Sequence, residues 1–106
     1  MKKLYVVKHQ QDFDRIIKLN NKKVSPYFII YSEDNDKKYD CYGISVSKKI
    51  GNAVYRNKMK RRIRNIIDDY KKDYNNHKNY IIILRRKGID SSYNTLKDDF
   101  FNIMTK

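Results

Sequence analysis

The spacing of hydrophobic residues changes several times along the chain, and each change predicts a separate element. In residues 9–20 the apolar side chains recur at helical spacing with charged residues between them, which predicts a short helix. An apolar stretch that Pro26 opens and Tyr31 closes predicts a strand, because proline is tolerated at the first residue of a strand. The polar residues 32–38 predict a hairpin connection. Residues 39–47 then alternate between an apolar face and a face of small or hydroxyl-bearing side chains, which predicts the partner strand.

A long helix dominates the second half of the pattern. Residues 53–74 carry apolar side chains at helical spacing, and Asn52 is placed to cap the first turn. Residues 80–84 form a near-continuous apolar run, which is typical of a strand buried on both faces. A last amphipathic helix follows, with Ser91 or Ser92 as its predicted cap.

These elements fit a single domain. The chain has 106 residues, and no repeat or linker divides it, so we predict one α/β (α+β) two-layer sandwich over residues 1–106. One cysteine, Cys41, excludes an internal disulfide and fits a reducing compartment. The N-terminal apolar run is too short for a signal peptide, and no stretch approaches the ~20 apolar residues of a membrane span. We therefore expect a soluble, cytoplasmic protein.

The net charge narrows the class of partner. The chain has 25 Lys and Arg against 12 Asp and Glu, a formal charge of +13. Such an excess repels itself in the compact state unless a polyanion neutralises it, so nucleic acid and an anionic membrane surface are the natural candidates. A codon bias accounts for much of the lysine content. It accounts less well for the arginines, because four of the seven lie between Arg56 and Arg64.

The cations of the long helix form a ridge beside its apolar stripe. At about 100° per residue, one adjoining flank carries four cations and an amide, namely Arg56, Asn57, Lys60, Arg61 and Arg64. The acidic residues Asp68 and Asp69 lie in the C-terminal half, which is the opposite of what the helix dipole favours. Stability alone does not explain this order. We therefore predict that the ridge binds phosphate, with a solvated helix face as the alternative.

RNA is the preferred polyanion, because the helix lacks the large aromatic side chains that would anchor a basic face in lipid. The residues that could catalyse a reaction are not grouped in the sequence. His9 and His77 both lie in polar segments, and the adjacent aspartates on helices diverge instead of converging on a metal. We expect the chain's own side chains to carry no catalytic chemistry.

Residues 45–64 resemble the signature of the bacterial ribonuclease P protein family, which centres on Ala-Val-x-Arg-Asn-x-x-Lys-Arg-x-x-Arg. Every fixed position is matched, by Ala53, Val54, Arg56, Asn57, Lys60, Arg61 and Arg64. The Asp-Phe pair at 12–13, the Phe-Ile-Ile-Tyr run at 28–31 and the Tyr-Ile-Ile-Ile run at 80–83 agree. The resemblance covers most of the chain.

The resemblance implies an αβββαβα order, a four-stranded sheet and a left-handed crossover at the long helix. The hydrophobic pattern shows three of these strands and does not place the fourth. The implied function is that of the protein component of ribonuclease P, which removes the 5′ leader of precursor tRNA. Its implied partners are the ribonuclease P RNA and precursor tRNA, with the RNA subunit carrying the chemistry and holding Mg²⁺.

Carried over position by position, the resemblance assigns two groups of site residues. Those implied to contact the catalytic RNA are Arg56, Asn57, Lys60, Arg61 and Arg64. Those implied to line the leader cleft are Phe13, Tyr31, Ser45, Lys48 and Lys49. The chain departs from the family pattern at Ile17, where a second aromatic side chain is common, and at Asn20-Asn21, where a glycine is usual.

Two other functions fit the same composition. A ribosome-associated RNA-binding protein without a processing role would share the charge, the size and the basic helix, but would not need the full signature. An interfacial membrane protein is a more distant alternative.

Overall fold

The computed structural model describes Lys2 and residues 5–106. The helices and strands are α1 (Gln10–Leu19), β1 (Lys22–Val24), β2 (Phe28–Asp34), β3 (Cys41–Ser45), α2 (Ala53–Lys71), β4 (Lys78–Leu84) and α3 (Tyr93–Met104). Short 3-10 turns follow β3 and β4, at Lys48–Ile50 and Arg86–Gly88. The order is αβββαβα, as the family resemblance implied, and the predicted α/β fold is confirmed.

The sheet has the strand order β1-β2-β4-β3. Strand β2 runs antiparallel to β1 and β4, while β3 runs parallel to β4 and is joined to it through α2. The predicted hairpin is wrong, because β4 lies between β2 and β3 and these two strands do not pair. Strand β2 also extends to Asp34, into the segment predicted as the connection. The inner position of β4 explains its unbroken apolar run. The strand that the pattern did not place is β1, whose three residues are all exposed. An exposed strand of this length has no apolar alternation from which it could be predicted.

The main hydrophobic core lies between one face of the sheet and the helices α2 and α3. It contains Phe28 and Ile30 of β2, Tyr80 and Ile82 of β4, and Tyr42 of β3. Because side chains alternate along a strand, the residues between these point to the opposite face, where α1 lies. α1 thus adds a helix on the second face to the two predicted layers.

The helices and strands begin and end within a few residues of the predicted positions. α2 ends at Lys71 instead of 74, and α1 ends at Leu19, where Asn20 follows in a left-handed conformation at φ 56°. The predicted cap at Asn52 is confirmed, since its Oδ1 accepts a hydrogen bond from the Tyr55 N–H at 2.9 Å. At α3 the cap is Ser92, whose Oγ accepts from the Thr95 N–H at 3.2 Å. Within the described residues, no helix combines the length and apolar content that crossing a bilayer requires.

Candidate nucleic-acid interface

A groove runs between α1, the outer edge of β3 and the basic flank of α2. Residues 6–7 border it, where the Val7 N–H donates to the Tyr42 carbonyl at 2.9 Å. The groove has a volume of about 530 Å³ where Phe13, Ile17, Ser45 and Lys60 line it. A neighbouring depression of about 360 Å³ is lined by Phe13, Lys60 and Arg64 among others. Residues that the sequence assigned to two separate surfaces therefore share one groove.

The basic flank of α2 is electrostatically unbalanced. Among the described residues, none of the six cations in the N-terminal half of α2 has a carboxylate within ion-pair distance, on either flank: Arg56, Lys58, Lys60, Arg61, Arg62 and Arg64. Asn57, Arg61 and Arg64 are exposed, whereas Lys60 and Arg56 are half-buried. The Nε atom of Arg56 is buried without a hydrogen-bond partner in the described part of the chain. The exposed side chains of Asn57, Arg61 and Arg64 are accessible to an external anion.

Arg62 lies on the other flank of α2. Tyr55, Arg62 and Asp69 follow one another at seven-residue spacing, which places them on one side of the helix. The Tyr55 hydroxyl donates to the Ile89 carbonyl, and Asp69 accepts from Lys97 of α3 at 2.9 Å. This flank faces α3, away from the groove, as the angular count along the helix predicted for Arg62.

Tyr31 lies on the α1 face of the sheet but not in the groove. It pairs with Ile81 of β4, which pairs in turn with Gly43 of β3. Two strand spacings, about 10 Å, therefore separate Tyr31 from β3. Its ring is half-buried, and the Lys22 Nζ lies 5.8 Å from the ring centroid.

Lys48 and Lys49 lie in the 3-10 turn before α2, and both are exposed. The Ser47 hydroxyl fixes the turn by accepting a hydrogen bond from the Lys49 N–H at 3.2 Å. They stand at the end of the sheet where β3 stops, beside the start of the basic helix. The structure thus places two cations next to the groove and leaves their ammonium groups accessible to solvent.

Two further features of this face were missed from the sequence. Ile83 pairs with both Ser45 and Ile29, and the two isoleucines form a half-buried apolar floor between Ser45 and the region of Tyr31. The alternation in 28–31 and 80–83 contained this signal, because both isoleucines fall opposite the core-facing positions. The second feature is a cationic turn after β4.

The cationic turn after β4 contains the exposed side chains of Arg86 and Lys87. Because β3 and β4 are parallel, the residues that follow them emerge at the same end of the sheet. The turn at Arg86–Gly88 therefore lies at the end of the sheet that also carries the turn at Lys48–Ile50. Its signal in the sequence was a pair of cations directly after a buried strand.

A polar cluster fixes α1 on the sheet. Arg15 donates from Nη2 and Nε to the two carboxylate oxygens of Glu33, at 2.6 and 3.1 Å, and from Nη1 to Asp12 at 2.7 Å. Asn79 adds a hydrogen bond to Glu33 at 2.8 Å. The hydrogen bonds from Arg15 hold the pKa of the Glu33 carboxyl below its usual value. This cluster fixes the end of α1 near β2, and so helps to set where Phe13 and Ile17 lie.

The small face of β3 is partly covered by α1. Small side chains leave room for another group to approach a strand closely. At Gly43 the space is taken by Phe13 of α1, because a Cβ atom there would lie 2.5 Å from the Phe13 Cζ. The groove begins further along the strand, at Ser45.

The described residues offer no evident magnesium site of the protein's own. Within them, no three side chains of the types His, Cys, Asp and Glu come together in a way that could hold a metal ion. The aspartates at 68 and 69 illustrate this, since Asp69 binds Lys72 and Lys97 instead.

Comparison with known proteins places the chain in a family. The family model for ribonuclease P matches residues 1–106. The ribonuclease P protein component of Streptococcus equi subsp. equi is 36% identical over 104 residues, covering 98% of this chain and 87% of the relative. That of Streptococcus pneumoniae is 41% identical over 91 residues, covering 86% of this chain and 73% of the relative.

Solved structures agree with the sequence relatives. The RNase P protein of Staphylococcus aureus superposes with a TM-score of 0.87 at 33% identity, covering 95% of this chain and 93% of that one. A mutant of the S. aureus protein with defective mRNA degradation activity gives 0.88 at 34% identity, over 97% and 87% of the two chains. The Thermotoga maritima protein gives 0.87 at 26% identity, over 94% and 97%. The chain therefore belongs to the ribonuclease P protein family.

Proposed function

We propose that this protein works as the protein component of ribonuclease P by binding two RNAs on adjoining surfaces. The flank of α2 binds the catalytic RNA, and the groove with its adjacent sheet face holds the single-stranded 5′ leader of precursor tRNA. The observation that carries this proposal is the groove itself, where Phe13 and Ser45 meet Lys60, with Arg64 in the neighbouring depression.

The basic flank has the chemistry of an RNA-phosphate site. Arginine donates in a planar fork that matches phosphate oxygens, and it does so without losing its charge. Because Arg61 and Arg64 have no ion-pair partner within the described chain, binding RNA breaks no such pair. The exposed amide of Asn57 adds a donor and an acceptor suited to a sugar hydroxyl or a base edge.

The groove and sheet face have the chemistry of a single-strand site. Unpaired bases stack on aromatic rings and apolar surfaces, which Phe13, Tyr31 and the floor of Ile29 and Ile83 supply. The backbone of the leader carries negative charge, which Lys48 and Lys49 neutralise at the end of the sheet. Ile17 lines the groove, but as an aliphatic residue it offers packing rather than a stacking platform.

The chemistry of cleavage belongs to the RNA subunit in this proposal, and Mg²⁺ is held mainly by that RNA. The protein contributes affinity and position. Support comes from the side chains themselves, since His9 and His77 are exposed and far apart in the chain. The relatives named above are ribonuclease P proteins, and nothing among them favours the ribosome-associated alternative.

Reconstitution tests the proposal. Precursor tRNA is incubated with the protein alone, with a bacterial ribonuclease P RNA alone, and with both, at low Mg²⁺. We expect cleavage at the mature 5′ end that depends on the RNA and is stimulated by the protein, and tighter binding of precursor than of mature tRNA by the holoenzyme.

An unstructured messenger RNA fragment serves as a further substrate. The reason is that a mutant of the S. aureus RNase P protein is defective in mRNA degradation activity. Efficient cleavage of precursor at the mature 5′ end by RNA-free protein would show that the chain carries its own catalytic site. Failure to stimulate ribonuclease P RNA, together with tight binding to ribosomal RNA, would favour the ribosome-associated role.

A further inference from the structure

We infer that Gly43 is a positioning residue: by leaving space for the ring of Phe13, it sets the depth of the groove and thereby the affinity for the precursor leader. The inference rests on the proposed function of the groove as the leader site. Gly43 itself faces α1 and does not line the groove.

Backbone conformation does not explain the glycine. Gly43 lies in the middle of β3, where it is buried. No glycine among the described residues has a positive φ, so the backbone at this position is open to any residue. Glycine in the interior of a strand costs stability, and it often marks a place where another group approaches closely.

The approaching group is the ring of Phe13. A Cβ atom at Gly43 would lie 2.5 Å from the Phe13 Cζ and 3.0 Å from its Cε1. Non-bonded carbon atoms prefer about 3.5–4.0 Å. The same Cβ would lie 3.0 Å from the Cδ1 of Ile81 on the neighbouring strand. Any side chain at this position must therefore displace the ring.

The structure also indicates where the ring would go. Ile81 below it is fully buried, and so is Ile16 beside it on α1. The bidentate contact between Arg15 and Glu33 holds the helix on the sheet. The ring is only half-buried and already lines the groove, so displacement outward meets the least resistance. The displaced ring takes up space that a leader nucleotide needs.

The test uses Gly43→Ala in the reconstituted holoenzyme. We expect affinity for precursor tRNA to fall roughly tenfold, within the range that one stacked base contributes, while affinities for mature tRNA and for the catalytic RNA stay unchanged. Phe13→Leu removes the two ring atoms that the new methyl group would meet. In that background, we expect Gly43→Ala to cause little further loss of precursor affinity.

Ile103→Val is the control for general destabilisation. Ile103 lies on α3 in the main hydrophobic core, on the opposite side of the sheet from Phe13. We expect this variant to lower the unfolding temperature and to leave the ratio of precursor to mature affinity unchanged. A loss of precursor discrimination in this variant equal to that of Gly43→Ala would overturn the inference, because general destabilisation would then explain both.

The double-mutant cycle decides the mechanism. Equal losses from Gly43→Ala in the wild-type and Phe13→Leu backgrounds would overturn the positioning role. If Gly43→Ala does not fold but the double variant does, the conflict with Phe13 is supported directly. If neither folds, Ile81 is the critical neighbour and the inference is wrong.

A measurement on the RNA-free protein separates this inference from the proposed function. Nuclear Overhauser contacts between the Gly43 α-protons and the Phe13 ring protons are expected in the wild-type protein. The absence of these contacts would overturn the positioning role, independently of the results of the RNA-binding experiments. If the contacts are present and the wild-type holoenzyme does not prefer precursor over mature tRNA, the leader-binding function of the groove is what fails.

Discussion

The position of Tyr31 is compatible with two roles, packing against the sheet and stacking with a base. Its ring is half-buried on the face that α1 only partly covers, and Lys22 lies near it. A ring so placed can pack against the sheet, stack a base, or do both. Only the effect of removing it on different RNA ligands distinguishes these roles.

Replacing Tyr31 with alanine is therefore expected to weaken precursor binding by the holoenzyme by about 1–3 kcal/mol, if one base stacks there. Affinity for mature tRNA should not change, because mature tRNA lacks the leader. Fluorescence titrations with both ligands measure the difference. Tyr74→Ala, which truncates a 41% exposed ring beyond the end of α2, is the control and should change neither affinity. Equal losses for both ligands on Tyr31→Ala would instead assign Tyr31 to packing.

At the scale of elements, the two flanks of α2 have different surroundings. The flank with Arg61 and Arg64 is free of ion pairs among described residues, whereas the flank with Arg62 faces α3. All three arginines carry the same charge, so a long-range field would treat them alike. Direct phosphate contact would not, because each contact releases counterions from the RNA.

We expect Arg61→Ala and Arg64→Ala to weaken binding to the catalytic RNA and to flatten its dependence on salt, by roughly one unit of logarithmic slope each. Arg62→Ala is the internal control and should change the slope less. Affinities across a salt series measure this, with circular dichroism to confirm folding. If Arg62→Ala is as damaging as the others, α2 is a generally basic surface and not a defined docking face.

The contact between Arg15 and Glu33 predicts how the stability of the fold depends on pH. Arg15 lowers the pKa of the Glu33 carboxyl in the folded state. A carboxyl with a lowered folded pKa stabilises the fold above its unfolded pKa of about 4.3, and this contribution is lost as pH falls through the lower folded value. Glu33→Gln should therefore lower the midpoint of urea unfolding at pH 7, with a smaller difference near pH 3.

Asp34→Asn is the matched control for this experiment. Asp34 is the next residue and pairs with Lys78 at 3.1 Å, but its side chain is 88% exposed. Exposed pairs of this kind contribute little to stability, so the midpoint should hardly move at either pH. A Glu33→Gln effect of the same size at both pH values would show that the charge of the carboxylate is not what matters.

At the scale of the whole molecule, charge is distributed unevenly. Several acidic residues surround a depression beside α1 and the end of β2, among them Asp12, Glu33, Asp34 and Asp36. Lys60 and Arg64 of α2 line the groove and the neighbouring depression, and the two 3-10 turns lie at the end of the sheet where β3 and β4 stop. A positive surface on one side attracts a polyanion and favours one orientation of approach. We expect the placement of these cations, more than the net charge of +13 by itself, to orient an approaching RNA.

The sequence by itself determined the parts of this protein that depend on local periodicity. Helical and alternating patterns located α1, α2, α3 and three strands, because side-chain direction repeats every 3.6 or 2 residues whatever the rest of the chain does. The same periodicity separated the two flanks of α2, and the motif from Ala53 to Arg64 identified the family. The roles of individual site residues stay predictions.

Tertiary structure decided what depends on residues far apart in the chain. The fully exposed strand β1 exists because β2 offers an edge, not because of its own side chains. Asp40 was one acidic residue among many, yet it is 3% exposed and accepts the backbone N–H groups of Asn76 and Lys78 at 3.0 and 2.7 Å. The meeting of Phe13 with Gly43 has the same origin. Such contacts follow from strand order and helix placement, which local patterns do not encode.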